Sequence, residues 1–133
     1  MFKLSLLTPE KKVLLDQEIT EITVPMQSGE RQILPGHVPM VANLGTGILT
    51  YKVAGDDLLS KCVISWGYCE VNSDGVNILA EFVQSKEEIN TDESQKLILN
   101  STNKLAKEIL SDDEFEKALT DIKKSESALR LLN

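Results

Sequence analysis

Residues 32–52 read QILPGHVPMVANLGTGILTYK. Two prolines, three glycines and the chain's single histidine stand between short apolar runs. Proline fixes φ and glycine reaches conformations closed to other residues, so this punctuation cuts the chain into short strands joined by tight turns. The same rhythm extends outward from residue 1 to about Phe82. Strands are expected at 2–7, 13–15, 18–24, 38–42, 48–53, 58–65, 68–72 and 76–80. In 18–24, Thr20, Ile22 and Val24 share one face while Glu21 and Thr23 share the other, and Pro25 is expected to end the run. Trp66-Gly67 falls between two strand runs, where a glycine marks a bulge or corner. The pattern predicts an amino-terminal antiparallel β-sandwich of about ten strands.

At Asn90 the period changes. Asn90-Thr91-Asp92-Glu93 and Ser111-Asp112-Asp113-Glu114 each set a capping residue three positions ahead of a glutamate, so helices are expected to start near Thr91 and Asp112 and to run for about 20 residues each. Ile98, Leu105 and Ile109 supply the first with an apolar stripe; Phe115, Ala118, Leu119, Ile122, Leu129 and Leu132 supply the second. The link at Leu110-Ser111 is short enough to force an antiparallel hairpin. The expected division is a sandwich domain at 1–85 and a helical hairpin at 86–133. Two such stripes bury little, and helices of this length are marginal alone. The hairpin must therefore pack on the sandwich or on another chain, and an element with two such options can switch between them.

The chain has 133 residues, 41% of them apolar, enough for a modest core. Lys and Arg total 14 against 21 Asp and Glu, a formal charge of -7, so its field repels nucleic acid and anionic lipid. Cys62 and Cys69 are too few for a disulfide framework and have no partners at zinc spacing, so both are expected to be buried thiols. No export signal is evident at the start, and no apolar run is long enough to cross a membrane.

Catalytic readings find little support. His37 would have to serve any Ser-His-Asp or Cys-His machinery, yet no nucleophile elbow or orienting acid accompanies it, and a turn-anchoring or contact role is the expectation. Gly45-Thr46-Gly47 lacks the lysine of a phosphate loop. Glu87-Glu88 and Asp112-Asp113-Glu114 sit at helix starts, where carboxylates complement the dipole, and lack the spacing of a calcium loop. Neither a metal nor a cofactor is expected. Trp66 and Tyr68 are expected to pack in the core, the indole N–H on a carbonyl, with an exposed recognition ring as the alternative.

Over its whole length the sequence resembles the epsilon subunit of bacterial and chloroplast F-type ATP synthases. The most specific match is Ile33-Leu34-Pro35-Gly36-His37-Val38-Pro39-Met40, close to that family's ILPGHAPL, with Thr46-Gly47-Ile48-Leu49 following at the family's distance. Supporting it are Leu4, Thr8-Pro9-Glu10, Val24-Pro25, Gly29-Glu30, residues 76–80 and Glu87-Glu88-Ile89, while Trp66-Gly67-Tyr68 stands where the family usually has Gly-Gly-Phe. The resemblance implies a noncatalytic rotor subunit in the central stalk, coupling ion-driven rotation of the c-ring to ATP synthesis. Its sandwich would bind the gamma subunit and the c-ring, its contact residues being Glu30, Arg31 and His37. Gln32 departs from a common glycine there. The hairpin would either lie on the sandwich or extend into the alpha/beta catalytic head and block ATP hydrolysis, with Lys123, Lys124 and Arg130 approaching acidic groups. Members whose hairpin binds ATP carry a motif from which Asn90, Glu93, Lys124 and Ala128 depart, so no nucleotide binding is expected. The implied location is peripheral, on the cytoplasmic face of a bacterial inner membrane or the stromal face of a thylakoid, with proton or sodium coupling. The reading of a different class is a stand-alone sandwich that binds a ligand or peptide beneath a helical lid.

Overall fold

The computed structural model of the chain describes residues 2–36, 39–107 and 111–132. Seven strands come first: β1 (Phe2–Leu7), β2 (Lys12–Met26), β3 (Gly29–Ile33), β4 (Met40–Asn43), β5 (Gly47–Val53), β6 (Leu59–Val71) and β7 (Gly75–Ser85). A single 3-10 turn at Lys86–Glu88 leads to helices α1 (Thr91–Lys107) and α2 (Asp112–Leu132). This is a β-sandwich followed by two helices.

Among the described residues the strands number seven rather than about ten, in part because breaks expected from the sequence lie inside continuous strands. Runs 13–15 and 18–24 are one strand, β2, interrupted by an extra residue. Leu4 pairs with Gln17 and Leu6 with Leu14, which leaves one residue too many on β2, and Asp16 absorbs it at φ +51. The hydroxyl of buried Ser5 accepts the freed Asp16 N–H at 3.1 Å. Runs 58–65 and 68–72 are likewise one strand, β6, bent at Trp66 (φ +58) and Gly67 (φ +127). That corner is not a bulge, since the register with β7 is unbroken from Ser65↔Phe82 to Gly67↔Ala80.

Pro25 does not end β2. Its carbonyl accepts from Gly45 N–H, so its missing donor faces the same side, where the ladder to β5 has already stopped at Thr23↔Thr50. The strand runs on to Met26 and returns as β3 through a two-residue turn at Gln27-Ser28.

Strands β1, β2, β5, β6 and β7 form a closed hydrogen-bonded circuit, with β3 on β2 and β4 on β6. Four of its five pairings are antiparallel and the fifth, β1 with β7, is parallel. A ring with an odd number of members cannot alternate direction throughout. One parallel pairing is therefore a consequence of closure, and the sandwich is not antiparallel at every edge. The interior holds Leu4, Leu6, Ile19, Ile22, Val24, Ile33, Leu49, Ile64 and Ile78, all essentially inaccessible.

Both helices begin where capping predicts. Asn90 Oδ1 accepts from Glu93 N–H at 3.1 Å, and Ser111 Oγ accepts from Glu114 N–H at 3.2 Å. Ser101 and Lys104 of α1 share one cavity wall with Glu114–Ala118 of α2, and Glu93–Leu97 share another with Asp121–Ser125, so the helices run antiparallel. The expected stripes hold in part: Ile98, Leu105, Ile122, Leu129 and Leu132 are half-buried and Ala118 is buried, while Phe115 and Leu119 depart. Ser94 and Ser101 on α1, and Ala118, Ser125, Ser127 and Ala128 on α2, are buried, whereas Phe115 and Leu119 are exposed along with Leu97 and Leu99. Ser101 and Ala118 line the space between the two helices, whereas Ala128 faces the sandwich; Ile109 lies outside the described residues.

Candidate functional site

Two regions bear on function: the end of the sandwich carrying β3, and the seam between sandwich and hairpin. At the first, Glu30 and Arg31 lie on β3, opposite Pro25 and Val24, and both are exposed. They belong to a strand rather than to a loop. Sequence reading missed β3 because its residues Gly29-Glu30-Arg31-Gln32 lack the apolar alternation of a half-buried strand. Gln32 is regular strand, paired with Thr23, and so does not need glycine's freedom. Arg31 Nη1 lies 4.0 Å from Met40 Sδ, which ties β3 to the start of β4. His37 lies outside the described residues.

The seam is narrow. Along β6, Cys62 and Ile64 face the sandwich core, and Val63 between them faces the helices. Val63 packs with Ala128 and Leu131 of α2 in a small cluster, bordered by half-buried Ile48, Phe82 and Ile89. The sequence held a signal for this. Cys62-Val63-Ile64 is apolar without alternation, as expected of a strand covered on both faces.

Two polar contacts flank the cluster. Lys124 Nζ sits 4.5 Å from the centre of the Phe82 ring, a cation–π geometry. Trp66 Nε1 donates to Thr120 Oγ1 at 3.3 Å. Trp66 is thus not a core residue; it is 40% exposed and its partner is a hydroxyl on α2. Tyr68, 44% exposed, is not in the core either. Beneath the hinge, a cavity of about 550 Å³ lies between Lys11, Tyr51 and Cys62 of the sandwich and Lys86, Leu131 and Leu132 of the hairpin side.

Of the expected hairpin contacts, Lys123 and Arg130 are exposed, while Lys124 is half-buried over Phe82. Asn90, Glu93 and Lys124 do come together, with Asp121, around a cavity of about 230 Å³ between the helices. Glu93, Asp121 and Lys124 are the charged groups that line it. Ala128 stands apart, buried against Val63.

Both cysteines are buried and free. Burial, with the Glu88 carboxylate adding to it, pushes the Cys62 thiol up to about 12, and burial with Glu70 pushes Cys69 up to about 11. Tyr51 is raised as well, first by burial and then by Cys62. Each group holds its proton more tightly folded than unfolded. Stability is therefore whole below the thiols' ordinary value of 9.0 and is lost as pH climbs toward 11 to 12. Urea unfolding midpoints at pH 8 and 10.5 should show the decline, and equal midpoints would contradict it.

Among the described residues no three of His, Cys, Asp and Glu gather as a metal site, and no helix is long and apolar enough to cross a membrane.

The sequence profile described as "ATP synthase, Delta/Epsilon chain, beta-sandwich domain" matches residues 1–86. The ATP synthase epsilon chain of Bdellovibrio bacteriovorus is 42% identical over 113 residues, covering 85% of this chain and 81% of that one. The epsilon chain of Geotalea daltonii is 37% identical over 105 residues, 79% of this chain and 74% of its own. The fold recurs in a chain of the Euglena gracilis mitochondrial ATP synthase (OSCP/F1/c-ring), with a TM-score of 0.86 at 24% identity over 99% of this chain and 81% of that one. It recurs also in the central stalk/c-ring of the Tetrahymena thermophila mitochondrial ATP synthase, with a TM-score of 0.72 at 14% identity over 99% and 96% of the two chains. The profile match to the sandwich and the identity that continues beyond it place the chain in the delta/epsilon family of ATP synthase subunits.

Proposed function

We propose that the chain is a noncatalytic rotor subunit of an ATP synthase central stalk, its sandwich (1–85) joining the gamma subunit to the c-ring and its hairpin (86–133) restraining ATP hydrolysis. The observation that carries the regulatory half is the division of the core. The sandwich closes its own ring of strands around its own interior, while the hairpin is held to it by the cluster of Val63, Ala128 and Leu131 and its half-buried border. Burying three such side chains is worth on the order of 3–6 kcal/mol before the entropy of ordering is subtracted. A gap of that size is one that a second binding place can overturn. Leu97, Leu99, Phe115 and Leu119, uncovered in the docked hairpin, supply apolar surface for such a place on the alpha/beta head, with Lys123, Lys124 and Arg130 meeting acidic groups there.

For the sandwich, Val41 (70% exposed) and Tyr68 lie on one outer face of β4 and β6, an apolar pair suited to a protein partner such as gamma. Glu30, Arg31 and His37 are the proposed contacts with polar loops of the c-ring. The subunit sits peripherally on the cytoplasmic face of the membrane in a bacterium, or on the stromal face in a plastid, and serves proton or sodium transport without a cofactor of its own. No observation favours the stand-alone ligand-binding sandwich over this reading.

Reconstitution tests it. Added to an ATP synthase stripped of its epsilon subunit, the chain should copurify with gamma and the c-ring and restore ATP-driven ion pumping. Failure to bind either neighbour contradicts the proposal. Titration of the isolated chain with ATP should give no micromolar affinity, in keeping with the departures from the nucleotide motif at Asn90, Glu93, Lys124 and Ala128.

A further inference from the structure

The chain's one tryptophan occupies a backbone conformation that bulky side chains avoid. At φ +58, Trp66 lies in the left-handed region, where Cβ crowds the following carbonyl. The corner itself is imposed by its neighbour. A Cβ on Gly67 would sit 1.9 Å from the Leu79 carbonyl oxygen, and Gly67's own carbonyl accepts from Leu44 N–H at 2.9 Å. Trp66 therefore inherits a strained corner that it does not create.

Strain of this kind persists where other interactions over-determine it. Core burial is not the compensation here, because the residue is 40% exposed. It leans instead on the hairpin, where its N–H reaches Thr120 Oγ1 across 54 positions of sequence. The indole also lines a cavity of about 380 Å³ with Leu44, Thr46, Thr120 and Lys123, so it forms one wall of the seam. Thr120 lies eight residues before Ala128, about 12 Å along the helix axis. The apolar cluster thus fastens the last turns of α2, and Trp66 fastens the middle.

We propose that Trp66 is a clasp that holds the middle of α2 on the sandwich and sets how often the hairpin leaves it. The inference rests on the reading of the hairpin as a detachable element. Lys124 over Phe82 lies between the two fastenings; with all of these closed, α2 cannot peel from its amino-terminal half. With the clasp open, that half separates while the Val63 cluster still holds.

Hydrogen exchange on the full chain tests the clasp. Trp66→Gly should speed exchange in α2 around Thr120 by roughly tenfold, the effect of one lost hydrogen bond plus contact area. Exchange in β6 and β7 should stay the same or slow, because glycine relaxes the corner. Thr120→Val, of equal volume and remote from the corner, should speed α2 exchange by about threefold without touching the sandwich. Equal acceleration of strands and helices in Trp66→Gly would make the residue a packing element and overturn the proposal. So would unchanged α2 exchange in both variants. If α2 loosens as expected while ATP hydrolysis by a complex carrying Trp66→Gly is unaltered, the clasp stands and the inhibitory role of the hairpin falls.

Discussion

Gly67→Ala is expected to lower the stability of the sandwich by about 3 kcal/mol or more, a large fraction of the 5–15 kcal/mol typical of a small domain. The added Cβ would lie 1.9 Å from the Leu79 carbonyl oxygen and 2.9 Å from its carbon. These atoms are backbone of the adjacent strand, not the end of a flexible side chain, so relief requires separating β6 from β7 there. The φ of +127 adds strain of its own. Gly55, at φ +85 in the turn between β5 and β6, is the control, because nothing lies within 4 Å of a Cβ there. Gly55→Ala should cost only about 1 kcal/mol. Thermal unfolding followed by circular dichroism separates the two, with a midpoint drop on the order of 10 °C for Gly67→Ala. Equal losses would mean that the close strand contact has no energetic weight.

Val63→Asp should act on a different link. Val63 is fully buried, yet what covers it is Ala128 and Leu131 of the hairpin rather than the sandwich interior. A carboxylate placed there regains water if α2 lifts away. The docked state should lose about 3–4 kcal/mol, while the ring of strands, whose core does not include residue 63, keeps its melting behaviour. Proteolysis of the isolated chain should then cut the helices more than 100-fold faster than in the parent and leave a resistant fragment ending near Ser85. Sandwich and hairpin unfolding together would show that they share one core. In the assembled synthase the proposed restraint predicts lower ATP hydrolysis for the same substitution, since a released hairpin would spend more time extended.

The sequence spoke most clearly where one physical rule acted alone. Asn90 and Ser111 announced both helix starts because a cap is a local contract between a side chain and backbone donors three residues on. Cys62 and Cys69 were legible as buried thiols for want of partners. The strands were harder, since Asp16 and the Trp66-Gly67 corner look like breaks but are absorbed within long strands by neighbours remote in sequence. Pro25 misled for the same reason: whether its missing N–H matters depends on where the β5 ladder stops. The hairpin stripes were legible only in part, because periodicity marks a face as apolar without saying what it faces. Ala118, Ile122, Leu129 and Leu132 are covered as the stripe predicts, Ser125 and Ser127 join them, and Phe115 and Leu119 are left outside. The seam itself was almost invisible, since Val63, Trp66 and Thr120 meet only through tertiary folding, and only the unbroken apolar run at 62–64 hinted at it.

The central proposal is that the hairpin is a removable restraint on a self-sufficient rotor part. The most direct measurement is ATP hydrolysis by the assembled complex carrying either the full chain or a chain ending at Ile89, with ion pumping followed in parallel. The account predicts hydrolysis several-fold faster without residues 90–133, with pumping retained, a change in rate that corresponds to about 1 kcal/mol or more of released restraint. Identical hydrolysis rates with and without the hairpin, or loss of pumping together with it, would contradict the account.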